Sequence, residues 1–144
     1  MNILFDTSVL VAAMVEAHPM HERALPWLQR VQAGPDVGII ATHSIAELYA
    51  VLTKLPVRPR ISPAVARRLI QQSVLETCRV VALSEDDYVA ILGHLSDTGV
   101  SGGAIYDALI LYAGLKADVD CVVTSNETDF RRIYPDLADR IVAP

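Results

Sequence analysis

Ile3-Leu4-Phe5-Asp6-Thr7-Ser8-Val9-Leu10-Val11-Ala12-Ala13 is the stretch that decides the fold. Three apolar residues make a short buried strand, one acid interrupts them, and Thr7-Ser8 open a helix that runs through Ala13. A strand that leads straight into a helix is the opening of an α/β fold. Downstream, the alternation repeats. Pro19 restarts a helix with Leu25, Trp27, Leu28 and Val31 on or near one face, Gly34-Pro35-Asp36 ends it, and Val37-Gly38-Ile39-Ile40 reads as a second buried strand. Thr42 or Ser44 stands where it can cap a helix over residues 43–54, which stops before Pro56. Ser62-Pro63 opens another helix, Arg79 to Leu83 reads as a strand, and Ser84 with Asp87 resembles a capping box for a helix reaching Leu95. After a loop from Gly99 to Gly103, Ala104 to Lys116 is apolar and helical, and Cys121 to Thr124 is a strand that turns at Ser125-Asn126. Apolar strands separated by helices predict a three-layer α/β fold, a central parallel sheet of four to five strands flanked by helices. With no repeat and no low-complexity stretch, residues 1–144 read as one domain.

Composition narrows the class. Hydrophobic residues make up 52% and charged residues 20% of the chain, which excludes disorder and leaves apolar surface for a partner. A net charge of -5 argues against a general nucleic-acid coat, because bulk affinity for phosphate comes from Lys and Arg. If such a chain handles RNA, metal ions must mediate much of the contact. Cys78 and Cys121 lack metal-ligand spacing and read as reduced core thiols. The N-terminus has no basic leader, and no apolar run is long enough to span a bilayer, so a cytoplasmic protein without membrane attachment is expected.

Three acids sit alone in apolar runs: Asp6 after Ile3-Leu4-Phe5, Glu47 within Ile45-Ala46-Glu47-Leu48-Tyr49, and Asp107 within Tyr106-Asp107-Ala108-Leu109-Ile110. None has a Lys or Arg within four positions. Any one of them has a bland explanation, with Asp6 capping its helix and the others reaching distant arginines or the surface. A shared explanation covers all three. A desolvated carboxylate without compensation costs several kcal/mol, so each needs a cap, a cation or water. Asp6 stands at the carboxyl end of the first strand, where ligands gather in open α/β sheets, and Asp129 follows the fourth strand at the same edge. Convergent carboxylates without a His or Cys set suit a hard ion, Mg²⁺ or Mn²⁺.

Asp6-Thr7-Ser8-Val9-Leu10, Ser44-Ile45-Ala46-Glu47-Leu48, Gly102-Gly103-Ala104-Ile105-Tyr106-Asp107-Ala108-Leu109-Ile110, and Thr124-Ser125-Asn126 with Asp129-Phe130 resemble, in order, the four motifs of VapC-type PIN domains. The resemblance spans nearly the whole chain. It implies a Mg²⁺- or Mn²⁺-dependent endoribonuclease, usually a homodimer, held inactive by a cognate VapB antitoxin. Asp6, Glu47 and Asp107 match the first three acidic positions; Asn126 stands where many relatives have Asp, and Asp129 is the candidate for the missing charge, directly or through water. Asp6 and Asp107 are the first choices as metal ligands, Glu47 ligates through water or positions the nucleophile, and Ser8 and Thr124 hold carboxylates or a phosphate by hydrogen bonds. For both hydroxyls, helix capping or turn formation is an equal alternative.

Other features weigh less. Lys54, Arg58, Arg60, Arg67 and Arg68 form a basic concentration suited to RNA phosphates or an acidic antitoxin segment, or simply a solvated helix face. His18, His21, His43 and His94 share no metal-site spacing and are expected at the surface or as caps; Trp27, Tyr49, Tyr106 and Tyr112 are expected in the core. Two other classes remain open. An Asp-nucleophile phosphatase wants a second Asp two residues after the first, where this chain has Ser8. A catalytically inactive PIN-like RNA-binding or scaffold module would have lost its metal-binding acids, whereas Asp6, Glu47 and Asp107 are all present.

Overall fold

The apolar runs become β1 (Asn2–Phe5), β2 (Val37–Ala41), β3 (Cys78–Val81), β4 (Cys121–Val123) and β5 (Ile141–Val142) in the computed structural model, which describes residues 1–144. They form one sheet in the order β3-β2-β1-β4-β5, parallel throughout. Between them lie α1 (Thr7–Met14), α2 (His21–Ala33), α3 (Thr42–Lys54), α4 (Pro63–Ile70), α5 (Glu85–Thr98), α6 (Ala104–Ala117) and α7 (Glu127–Ile133).

Successive strand residues point to opposite faces, and both faces of β1, β2 and β4 are covered, which is why those strands are almost continuously apolar, whereas the edge strand β3 exposes Arg79 and Val80. Ile3, Phe5, Ile40 and Val123 enter one core with Leu10, Leu28, Leu48 and Leu52, while Leu4, Ile39 and Val122 enter the other with Ile91, Ile110 and Phe130. Each such side chain contributes about 1.5–3 kcal/mol by leaving water. Two glycines mark the closest approaches. A Cβ on Gly114 of α6 would lie 2.8 Å from Leu4 Cδ2, and one on Gly38 would lie 2.6 Å from Cys78 Sγ. Both cysteines are buried and free, and burial pushes their thiols up.

The capping signals divide. Ser62 Oγ accepts from Val65 N–H at 3.2 Å, and Ser84 with Asp87 forms the complete box, 3.2 and 2.8 Å. Thr42 and Ser44 do not cap α3, whose cap position is Ala41. Thr42 instead donates to the Val81 carbonyl at the end of β3, and Ser44 Oγ is buried without a partner. Trp27 is half-buried with the Arg30 guanidinium 5.1 Å from its ring centre, but Tyr49 and Tyr106 are exposed, contrary to the core expectation. His94 is half-buried, bonded to the Ile133 carbonyl and stacked on Tyr134. A π turn over Gln71–Leu75 extends α4, and a 3-10 turn over Pro135–Arg140 leads into β5; neither has a clear sequence signal.

The strand order fixes where a ligand can sit. The chain steps outward from β1 through β2 to β3, then returns to the far side of β1 for β4 and β5. Connections leave β1 and β4 in opposite directions, opening a crevice at their carboxyl ends. Asp6 follows β1 directly and Thr124-Ser125-Asn126 follow β4 directly.

Candidate active site

A cavity of about 470 Å³ occupies this crevice, with Asp6, Thr7, Ser8, Glu47, Asp107 and Asn126 among its walls. Asp6 is only 5% exposed. Its backbone carbonyl receives the first N–H groups of α1 from Val9 and Leu10, but its side chain makes no helix cap. The carboxylate instead accepts two hydroxyls on one oxygen: Ser8 Oγ and Thr124 Oγ1 each donate to Oδ2 at 2.7 Å. Thr124 Oγ1 in turn accepts from Asn126 N–H at 2.9 Å. Thr124 thus shapes the turn and holds the carboxylate, the two roles that sequence left as alternatives. With Oδ2 committed to hydroxyls, Oδ1 is left for the cavity.

Asp107 enters from the first turn of α6 and Glu47 from the second turn of α3. Burial, reinforced by the negative charges of Asp6, Glu47 and Asp129, pushes the Asp107 carboxyl up to about 6, against the opposing pull of a hydrogen bond with the Asn126 side chain. Glu47 Oε2 lies 2.9 Å from His43 Nε2, one turn earlier on the same helix. His43 therefore belongs to the site edge, a placement that sequence spacing did not reveal. Asn126 occupies the cap position of α7, yet its side chain makes no cap bond. Asp129 does not line the cavity. It pairs with Arg132 at 3.0 Å, though it remains close enough to act on Asp107.

The donor set suits a hard divalent cation on three grounds. No Lys or Arg pairs with Asp6, Glu47 or Asp107. With burial, the negative charges of Asp6 and Glu47 push the Asp107 carboxyl up instead of being neutralised by a cationic side chain. Thr7 Oγ1, at the cavity wall, is buried with no hydrogen-bond partner in the chain. No group of three or more His, Cys, Asp or Glu side chains is placed so that together they could hold a metal ion. An ion such as Mg²⁺ does not require one, because it keeps several waters and is held through one or two carboxylates.

The chain matches the PIN domain family model over residues 3–135. It is 38% identical over 105 residues to Ribonuclease VapC40 of Mycobacterium tuberculosis, covering 73% of this chain and 72% of that one. Ribonuclease VapC27 of the same organism is 30% identical over 108 residues, 75% of this chain and 73% of that one. Among solved structures, VapBC2 from Rickettsia felis bound to a DNA fragment from their promoter superposes with a TM-score of 0.64 at 18% identity, covering 100% of this chain and 98% of that one. The family match and the parallel sheet with acids at its carboxyl edge agree: this chain belongs to the PIN-domain family.

Proposed function

We infer that this chain is a VapC-type endoribonuclease, the toxin half of a toxin–antitoxin pair, that cleaves RNA with the help of Mg²⁺ or Mn²⁺ and comprises one domain over residues 1–144. The observation that carries the reading is the uncompensated carboxylate cluster in a chain related to named ribonucleases. Asp6, oriented by Ser8 and Thr124, and Asp107 would hold the ion, with Glu47 nearby to position an attacking water. When bound, a divalent ion neutralises charge on the scissile phosphate and acidifies water. Asn126, on the cavity wall, would steady the Asp107 carboxylate, and Asp129 adds negative potential from outside the cavity. Lys54, Arg58, Arg60, Arg67 and Arg68 are all exposed and none enters an ion pair, so they are free to meet phosphates beyond the site.

The partners follow from the same reading. An apolar groove of about 650 Å³ between α3 and α4, lined by Ile45, Tyr49, Ile70 and Leu75, supports a VapB-like antitoxin segment or a second copy docking beside the site. No helix is long and apolar enough to cross a membrane, and we place the protein in the cytoplasm with its RNA. Incubation with total cellular RNA and Mn²⁺ should give mapped cuts that excess EDTA abolishes. Undiminished cutting in EDTA would overturn the metal dependence, and absence of any cut would overturn the ribonuclease. Light scattering should show a dimer at micromolar concentration, and a VapB-like antitoxin co-expressed from an adjacent upstream reading frame should co-purify.

A further inference from the structure

A second cavity, of about 480 Å³, adjoins the carboxylates, with His43, Gly103 and Tyr106 among its walls. It shares Glu47 and Asp107 with the first, so the two hollows meet at the acids. Tyr106 precedes Asp107 on α6 and is 53% exposed. The ring is held rather than loose: His43 lies parallel to it, with 5.1 Å between centroids and 7° between planes, and His43 is itself tied to Glu47 at 2.9 Å. The pair is built from α3 and α6, the two helices that deliver Glu47 and Asp107.

An aromatic ring fixed in place and open to solvent beside a phosphate site offers a π-face, and every nucleobase has one to match. Neither Lys nor Arg lines this second cavity, which favours a neutral ring over a phosphate as its occupant. We propose that Tyr106, backed by His43, seats an unpaired nucleobase next to the phosphate held at Asp6 and Asp107. The inference rests on the ribonuclease reading and deepens it, since a base inside a duplex is stacked on its own neighbours and is not available to a tyrosine. The substrate class is therefore RNA whose bases can splay out at the cut, and His43 is a positioning residue that sets the plane of the tyrosine.

The test uses full-length Asp6→Asn protein, which keeps the strand uncut, and a single-stranded oligoribonucleotide with 2-aminopurine placed at successive positions, alone and annealed into a duplex. Tyr106→Ala should weaken single-strand binding by about tenfold. It should also remove the stacking quench of 2-aminopurine and leave duplex binding unchanged. Tyr106→Phe, which keeps the ring, should retain both affinity and quench. Circular dichroism checks that the variants fold. Unchanged affinity and quench in Tyr106→Ala, or Phe behaving like Ala, overturns the subsite even where the native protein cuts RNA. If the native protein with Mn²⁺ neither binds nor cuts the single-stranded RNA, the ribonuclease reading fails and takes the subsite with it.

Discussion

The two ends of the sheet treat their acids in opposite ways. At the amino end, carboxylates have donors: Asp36, just before β2, takes the Met1 ammonium at 2.8 Å and Arg30 Nη2 at 2.7 Å, and Asp120, just before β4, accepts the Asn2 N–H at 2.7 Å. The bond from the N-terminus, helped by Arg30, holds the Asp36 carboxyl below its ordinary range. At the carboxyl end, Asp6, Glu47 and Asp107 share one cavity, and the Asp107 carboxyl is pushed up to about 6. The residue type and the sheet are the same; only the neighbours differ. Acids at the amino end are satisfied within the folded chain, whereas Asp6, Glu47 and Asp107 at the carboxyl end have no Lys or Arg partner in it.

Removing a carboxylate from each end should separate the two roles most sharply. We expect Asp6→Asn and Asp107→Asn to lower RNA cleavage by on the order of a thousandfold or more, because an ion and attacking water held at this site would depend on them. Asp36→Asn should cut RNA at the native rate. Initial rates on one defined RNA, with circular dichroism to verify folding, decide the matter. Native rates from both Asp6→Asn and Asp107→Asn would mean that the cluster is not the reactive centre.

A smaller effect concerns the fourth position. Asp129 acts on Asp107 from outside the cavity while paired with Arg132, and the Asn126 side chain pulls the Asp107 carboxyl down. Asp129→Ala should weaken Mn²⁺ affinity by about fivefold, the scale of one partly screened charge. Asn126→Ala should slow cleavage more than it weakens affinity. If Asp129→Ala changes neither while Asn126→Ala loses both, Asp129 has no part in the site and three carboxylates serve it.

The contrast between the two ends was half visible in the sequence. A charge alone in an apolar run marks an uncompensated acid, so Asp6, Glu47 and Asp107 could be selected, and β1 through β4 could be placed, from local pattern. What could not be read depends on elements that meet only in three dimensions. Thr42 looked like a cap until the end of β3 offered it the Val81 carbonyl. Tyr106 shares helical spacing with core residues, but spacing does not say which flank of α6 stays uncovered. His43 gains its place from Tyr106 across the gap between α3 and α6. β5 is two residues long and takes its register from β4, leaving no pattern to find.

A stability effect of opposite sign at the two ends sharpens the comparison further. The Asp107 carboxyl is raised from 3.8 to about 6, so between those values the ion-free folded state holds more protons than the unfolded one. Its stability therefore falls as pH rises through that window, and the penalty is complete at neutral pH. Asp107→Asn should stabilise the ion-free protein at neutral pH by about 1–2 kcal/mol, allowing for solvent screening, and the gain should vanish below about pH 4. Urea melts in EDTA measure it. Mn²⁺ should raise the Tm of the native protein more than that of the variant, and more weakly below about pH 6, where protons compete for the carboxylate. A variant less stable than native at neutral pH would remove the repulsion from the account.

At Asp36 the same substitution should move stability the other way, and least of all. Its carboxyl is lowered, first by the hydrogen bond from the N-terminal ammonium and then by Arg30. A lowered carboxyl supplies stability that is present above its unfolded value and lost as pH falls through its folded value. Asp36→Asn should therefore reduce the Tm at neutral pH, and the difference from native should close on acidification as the native carboxylate becomes protonated. The effect should be small, since Met1 and Arg30 carry 46% and 45% exposed side chains and salt screens such pairs. One molar salt should shrink it further. A deficit that persists unchanged in strong acid would trace to lost packing or hydrogen bonding rather than charge. A rise in Tm at neutral pH, like that expected for Asp107→Asn, would show that acids at both ends repel their surroundings, and the carboxyl edge could no longer be singled out as the place prepared for a cation.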